Sequence, residues 1–465
     1  MSSSDYILRT SREYGLYTLD HRAIPAMTDG LKSSQRIALW LLRNKTEKVK
    51  TIALAGQMIA SELYLHGDVS AANTISMLAG SYCNNNPLIT GLGAFGTRAN
   101  PTSFAAPRYT SVKRSKIAQD VLYTDLDTVP MVENHDGSNM MPATFLPMIP
   151  LVLLNGVRGI ATGWATTILP RRYEDLVGAV TDVLARKPIR DLMPHYEGRD
   201  ITVRDIGTRE APNKYIISGK VVKKNTTTVI ITELPPELTL EKCREQLAAL
   251  EEDGKITGFT DRSTKTIKIE VKMPRATLGK LTPIENPVSL DPMGKLIDFL
   301  KLRSRITENI VVQGIGGNGI VTYDNIETLI KDWVEWRLAR YLDRFEKMLA
   351  DEKATNLYWR YVITCFEGNP RLGHPPLPEN ARELTVDEMR EYVKLLGAIE
   401  RLPKASPELI ERIINIPIYR WTVDGEERAK KELEESKHRM VKYKEMVDND
   451  KLRKALFKRE VTALT

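Results

Sequence analysis

The sequence predicts a multidomain α+β protein, and three observations predict it. At 465 residues the chain exceeds one ordinary core, because domains usually run to ~100–200 residues. Its hydrophobic texture changes twice: short helical periods up to about residue 83, alternating β-branched stretches from Thr166 to about Tyr323, and long helical periods from Asp324 onward. With 42% hydrophobic and 27% charged residues, it has the composition of a globular protein with enough apolar surface for real cores.

The first texture reads as three consecutive helices, Leu31–Arg43, Val49–Tyr64 and Asp68–Cys83. In the third, Val69, Ala72, Ile75, Ala79 and Tyr82 recur at helical spacing. Short helices joined by tight turns suggest helix-turn-helix packing, although any small helical bundle has the same pattern. The second texture contains KYIISGKVV, TTTVIITEL and KTIKIEVKM, with one clear helix at Leu240–Glu252, which is the mixture of an α+β region.

In the third texture, Ile330, Val334, Leu338, Tyr341, Phe345 and Met348 mark one face of a long amphipathic helix running towards Phe366. The Pro/Gly-rich stretch GNPRLGHPPLPEN breaks it. A compact helical insert comes next, in which Thr385 and Glu388 form a capping-box pattern ahead of MREYVKLLGAIERL. Beyond IINIPIYRW, a second long helix shows the same periodicity at Ala429, Leu433, Ser436, Met440, Tyr443 and Val447. The two are expected to pair as an antiparallel coiled coil with the insert at its tip. Interleaved acids and bases over Asp424–Glu460 read as a solvated surface without further function.

Several function classes are excluded or disfavoured. No apolar run approaches the ~18 residues that cross a bilayer, and MSSSDYILRTSREYG lacks the layout of a secretory leader, so a cytoplasmic protein without membrane partners is expected. Cys83, Cys243 and Cys365 stand far apart and suggest buried thiols, not a disulfide framework or a zinc site. No Gly-Lys pair is followed by Ser or Thr, so a phosphate loop is missing and ATP hydrolysis by this chain is not expected. Gly91, Gly93 and Gly96 satisfy G-x-G-x-x-G, but the residues after them are basic and loop-like, not a βαβ unit. Asp125 and Asp127 form a D-x-D pair, read here as an ordinary solvated loop. The net charge of +7 favours a polyanionic partner without requiring one.

The most informative segment is TRANPTSFAAPRYTSVKRSK, which begins at Thr97-Arg98 and ends at Lys116. It sets Arg108 and Tyr109 in a loop of small residues followed by Lys113, Arg114 and Lys116. A phenol of ordinary pKa ~10 is a poor nucleophile at neutral pH, so attack on a phosphodiester needs proton removal, a metal or a nearby cation. Arg108 is placed to stabilise charge on a reacting phosphate. Taken alone, an Arg-Tyr dipeptide is more often an aromatic packed beside a phosphate-binding patch.

The context changes that balance. RAIPAMTDGLKSSQR, LYLHGD, GAFGTR with AAPRYT, VENHDG, MIPLVLLNGVRGIATGW and IINIPIYRWT occur in one order, and together they resemble the breakage-reunion region of type IIA DNA topoisomerases. The likeness extends from about residue 15 to about residue 455. The chain ends soon after the second long helix, a layout similar to the medium subunits of T-even-type bacteriophage topoisomerases. On that layout no DNA-wrapping domain, and hence no gyrase-like supercoiling, is expected.

The resemblance implies a winged-helix DNA-cleavage domain over 1–165 and a tower domain over 166–322. It also implies a first coiled-coil helix over 323–366, a helical exit-gate dimerisation domain over 367–419, and a second coiled-coil helix with the C-terminus over 420–465. It makes Tyr109 the nucleophile of a 5′-phosphotyrosyl link and sets Arg108 beside the scissile phosphate. Arg22, Lys32, Arg36, His66, Arg98 and Lys113 become DNA-binding residues. Ile160 becomes a wedge that inserts between base pairs and helps to bend the duplex. Read from the residues alone, His66 also fits a satisfied turn and Ile160 a core position. The resemblance further implies double-stranded DNA as substrate, a homodimer closed at the DNA gate and the exit gate, and a partner subunit carrying ATP and, on a TOPRIM domain, Mg²⁺. Val69 and Asn73 replace the serine and acidic residue usual in bacterial A subunits, so quinolone sensitivity does not carry over. Gln35 and Ser33-Ser34 follow neither the bacterial nor the eukaryotic version fully, so the exact phosphate contacts do not carry over either. The competing reading is a DNA-binding coiled-coil protein that holds duplexes without cutting.

Overall fold

The computed structural model describes residues 19–282, 293–317, 319–381 and 383–464, with residues 6, 9–11 and 15 ahead of them. The N-terminal stretch read above for a leader lies largely outside the described residues. The chain divides into two compact units, one of residues 1–337 with 458–465 and one of residues 338–457, and it is a mixed α+β protein. Among the described residues, no helix is long and apolar enough to cross a membrane.

In the first unit, helices α1 (Ser33–Leu42), α2 (Thr51–Ala60) and α3 (Asp68–Ala79) bury Leu39, Leu42, Leu54, Ala55, Met58, Ala71 and Ile75 against one another. Each is shorter than its periodicity predicts, for local reasons. Val49 and Lys50 form strand β1, which pairs with Val112 and Ser111 of β3 (Ser111–Arg114), so α2 starts only at Thr51. Gly80 adopts an extended conformation and stops α3, which leaves Tyr82 outside the helix. Strand β2 (Ile89–Leu92) completes a three-stranded antiparallel sheet in the order β1-β3-β2. Gly91 sits in β2 with its α-carbon face against the Phe95 ring, so the glycine triplet serves strand-to-loop packing.

Two further hairpins come next: β4 (Met131–Glu133) with β5 (Met140–Pro142), and β6 (Val157–Ala161) with β7 (Trp164–Ile168). After them stands a three-stranded sheet in which β9 (Lys214–Ser218) lies between β8 (Thr202–Asp205) and β14 (Arg303–Thr307). A four-stranded sheet has the order β10-β11-β13-β12, from Lys220–Lys223, Thr228–Glu233, Ile269–Lys272 and Gly258–Asp261. Helix α4 (Leu240–Glu252) covers that sheet and packs Cys243, Leu247 and Leu250 into a core with Val229, Ile231, Ile269 and Val271. Thr239 caps α4, accepting from Lys242 N at 3.2 Å.

The hairpin of β15 (Ile310–Gln313) and β16 (Ile320–Tyr323) leads into α5 (Ile326–Glu367). The start of α5 is fixed inside the first unit: Trp333 Nε1 donates to Thr28 O at 2.8 Å, and Arg337 donates to Pro147 O at 2.8 Å and to Asp125 at 2.6 Å. Asp125 of the D-x-D pair is therefore the partner of a buried guanidinium.

In the second unit, the rest of α5 pairs antiparallel with α8 (Val423–Asp448). The pairing is carried by Lys430 with Glu367 (3.3 Å), Asn356 with Ser436 (3.4 Å), Glu352 with Arg439 (3.0 Å) and the rings of Phe345 and Tyr443 (6.4 Å between centres). Between them, α6 (Val386–Ile399) and α7 (Pro407–Ile414) bury Val393, Leu396, Ile410 and Ile413 with Tyr361 and Cys365 of α5. Thr385 and Glu388 form the expected capping box. The second long helix is not continuous: Asn449 is extended at φ −122° and ψ 101° and ends α8, and its side chain caps the next helix. Cys243 and Cys365 are buried, whereas Cys83 is half-buried and donates to Pro101 O at 3.2 Å.

Candidate nucleic-acid interface

The loop bearing Arg108 and Tyr109 is stapled to the start of α2. Thr51 N donates to Thr110 O at 3.1 Å, Ile52 N to Pro107 O at 3.3 Å, and the Thr110 hydroxyl meets the Thr51 hydroxyl at 2.8 Å. Two of the free amides at a helix start are thereby satisfied by the loop, and both threonines are buried. Between these anchors, Tyr109 is 69% exposed. The Arg108 guanidinium lies 4.8 Å from the centre of its ring. No hydrogen-bond partner meets the Tyr109 hydroxyl among the described residues. Lys113 projects exposed from β3, opposite Thr90.

Arg22 and His66 meet although 44 residues separate them: Arg22 Nη2 lies 3.0 Å from each imidazole nitrogen. Burial, and then the Arg22 charge, hold the His66 imidazole below its usual pKa. The Lys32 ammonium donates to Arg158 O at 2.9 Å, and burial lowers its pKa too. Lys32 thereby touches the β6–β7 hairpin, on which Ile160 stands 88% exposed, which is not a core position. Gly159 cannot carry a side chain, because a Cβ there would lie 1.9 Å from Ala23 O.

Two of the expected DNA-binding residues are engaged inside the protein. Arg36 is only 7% exposed. It donates to both carboxylate oxygens of Asp29, at 2.6 and 2.9 Å, and to Leu31 O at 3.1 Å. Asp29 also accepts from Leu31 N and Phe145 N. Next to it Gly30 has φ +68°, and a Cβ there would meet Val152 N at 2.3 Å. The T-D-G-L-K stretch is thus a buried polar knot that fixes the start of α1. Arg98 is likewise buried and ion-paired with Glu233 of β11. Lys32 and Arg98 both line a cavity of about 1090 Å³ shared with Arg158, Arg199, Glu233 and Glu237. Burial, then Arg98 nearby, pulls the Arg199 guanidinium down to about 10.

Asp29, the Thr51–Thr110 bond and the Arg158–Glu237 ion pair had no assignment from sequence. Asp29 stands in the stretch RAIPAMTDGLKSSQR, but nothing in the spacing marks Thr51 and Thr110 as partners. Among the described residues, no group of three or more His, Cys, Asp or Glu is placed to hold a metal ion. The described residues near Tyr109 therefore do not by themselves fit Mg²⁺.

The sequence profile of the family described as the A subunit of DNA gyrase/topoisomerase IV matches residues 22–462. The chain is 32% identical over 398 residues to the DNA topoisomerase medium subunit of Enterobacteria phage T4, covering 83% of this chain and 86% of that one. It is 29% identical over 376 residues to human DNA topoisomerase 2-alpha, covering 77% of this chain and 24% of that one. The chain thus spans about a quarter of the human relative's length. Among solved structures, the Plasmodium falciparum topoisomerase II DNA-binding, cleavage and re-ligation domain superposes with a TM-score of 0.79 at 22% identity, covering 97% of this chain and 63% of that one. That likeness speaks to the fold.

Proposed function

The chain belongs to the family of DNA gyrase/topoisomerase IV A subunits, and on that premise we propose that it is the DNA-cleaving and religating subunit of an ATP-dependent type IIA topoisomerase. The observation that carries this reading is the exposed Tyr109, with the Arg108 cation beside it, on a loop whose backbone is tied to the start of α2 on both sides, at Pro107 and at the buried Thr110. In the reaction, the Tyr109 oxygen attacks phosphorus and loses its proton. A P–O bond to Tyr109 forms as the bond to the 3′ oxygen breaks, and that oxygen leaves as a hydroxyl. The 5′-phosphotyrosyl link keeps the free energy of the broken bond, so the 3′ hydroxyl reseals the strand by the reverse step. Arg108 stabilises the charge that gathers on the phosphoryl oxygens.

The finer architecture follows the same reading. Helices α1 to α3 with the β1-β3-β2 sheet act as a winged-helix gate domain, and the sheets over 166–322 act as the tower. Helices α5 and α8 form a coiled coil whose helical insert closes an exit gate. Two tyrosines are needed to open both strands, so the working form is a homodimer on double-stranded DNA. Type II enzymes use Mg²⁺ and ATP. We assign both to a partner subunit with TOPRIM and ATPase domains, on the strength of the family resemblance. Arg22, His66, Lys32, Lys113 and Ile160 make up the DNA surface of this chain. Arg36 and Arg98 support it from beneath.

The test is to mix the chain with its ATPase/TOPRIM partner, Mg²⁺ and plasmid, trap with detergent, and map protein attached to DNA. Attachment at 5′ ends that disappears in Tyr109→Phe establishes the nucleophile. If no adduct forms with a competent partner, a scaffold that grips DNA without cutting is the better account.

A further inference from the structure

We propose that Arg158 is a further DNA-phosphate contact, carried on the hairpin that bears Ile160, and that Glu237 is its counter-ion in the DNA-free protein. The inference rests on the proposed function, because it takes Ile160 as the residue that meets the duplex. Side chains two apart in a strand share a face, and in β6 both Arg158 and Ile160 are exposed while Gly159 between them is buried. Two residues of strand put the two side chains roughly 7 Å apart. Duplex DNA carries one phosphate charge per ~1.7 Å of axis, so a guanidinium this close to an inserted wedge lies within reach of the backbone.

The mounting of Arg158 suits such a contact. Its carbonyl is held by the Lys32 ammonium at 2.9 Å, and the next residue is pressed against Ala23 O with no room for a side chain. On the other strand of the hairpin, Thr167 exchanges two backbone bonds of 2.9 Å with Asn309. The backbone under Arg158 is therefore fixed while its side chain remains 58% exposed. The carboxylate it meets, Glu237, lies just ahead of α4 and is itself partly exposed. An ion pair this open to water is weak and readily exchanged for a phosphate with its own surrounding charge. Once Arg158 turns to DNA, Glu237 is left as a negative charge near the duplex.

The experiment measures equilibrium binding of the full chain to a short duplex across a salt series, in a Tyr109→Phe background so that no covalent adduct forms. Arg158→Ala should weaken binding several-fold and lower the slope of log affinity against log salt by about 1. Arg158→Lys should restore the slope. Glu237→Gln should tighten binding about two- to fivefold, the opposite of what loss of a purely structural ion pair would do. Because Arg158 is exposed, thermal melts should be unchanged. Unchanged affinity and slope in Arg158→Ala, or weaker binding in Glu237→Gln, overturns the assignment. Adduct formation by the Tyr109-containing chain is scored separately: if adducts form but Arg158→Ala has no effect, this inference alone fails. If the slope falls as expected but no adduct ever forms, the cleavage reading alone fails.

Discussion

The guanidinium of Arg108 lies 4.8 Å from the centre of the Tyr109 ring, with both side chains exposed between Pro107, held by Ile52 N, and Thr110, held by the buried Thr51. Since neither side chain contributes to a core, the stability of the fold does not depend on the pair. Arg108→Ala is expected to shift stability by no more than about 0.5 kcal/mol, while slowing adduct formation by roughly 10²–10³-fold. Arg108→Lys keeps the charge but loses the planar fork, and should fall between the two. Single-turnover trapping beside thermal melts separates these effects. A melt lowered in step with the rate would instead make Arg108 a structural residue.

Arg36 leads to the opposite expectation. Its guanidinium is buried and bidentate on Asp29, which is itself fully buried. Removing one member of such a pair leaves an uncompensated charge and costs ~3–5 kcal/mol. Arg36→Ala should therefore shift the midpoint of chemical denaturation strongly. DNA affinity per folded molecule should change far less than in a Lys113 variant. Normal stability with a lowered salt slope would return Arg36 to the DNA surface.

His66 supplies a pH dependence with a definite sign. Burial first, and Arg22 second, hold its folded pKa below the ordinary value of ~6.5. The unfolded chain thus binds the proton more readily, and this group's contribution to stability falls as the pH drops through the unfolded value. A DNA phosphate beside Arg22 and His66 reverses the environment and raises the imidazole pKa, so binding takes up a proton. Affinity for duplex should rise on going from about pH 7.5 to about pH 5.5, and that part of the rise should vanish in His66→Gln. Parallel pH profiles for the two proteins would remove His66 from the interface.

The sequence was most legible where one periodicity or one cap decides the structure. Helix α4 occupies the residues its pattern marks, Leu240–Glu252. Thr385 and Glu388 cap α6 as their spacing implies, and Ala429 and Ser436 are buried on α8 as their spacing requires. Reading was poorer where a distant partner decides. Val49 and Lys50 look helical until β3 takes them into a sheet, and Asn449 interrupts a periodicity that carries on past it. For the proposed site, motif likeness points to Tyr109, Ile160 and the T-D-G-L-K stretch, but residue type alone cannot tell a surface arginine from one closed onto a carboxylate. Arg36 and Arg98 look like phosphate ligands in sequence because Asp29 and Glu233 become their partners only in three dimensions. For Asp125, the buried Arg337 that claims it lies more than two hundred residues away.

Ile160 gives the cleanest separation of function from fold. An isoleucine 88% exposed at a hairpin loses free energy by standing in water, and it recovers that loss only if an apolar partner covers it. Base-pair stacks are such a partner: unstacking a step costs a few kcal/mol and is offset by the wider contact a bent duplex makes with the protein. Ile160→Ala should leave thermal stability within about 0.5 kcal/mol of the parent and reduce the bend that end-to-end energy transfer reports on a doubly labelled duplex. Adduct formation should fall on intact duplex and recover in part on a duplex nicked at the wedge step, where bending is easier. A full bend in the Ala variant would show that the hairpin does not enter the stack.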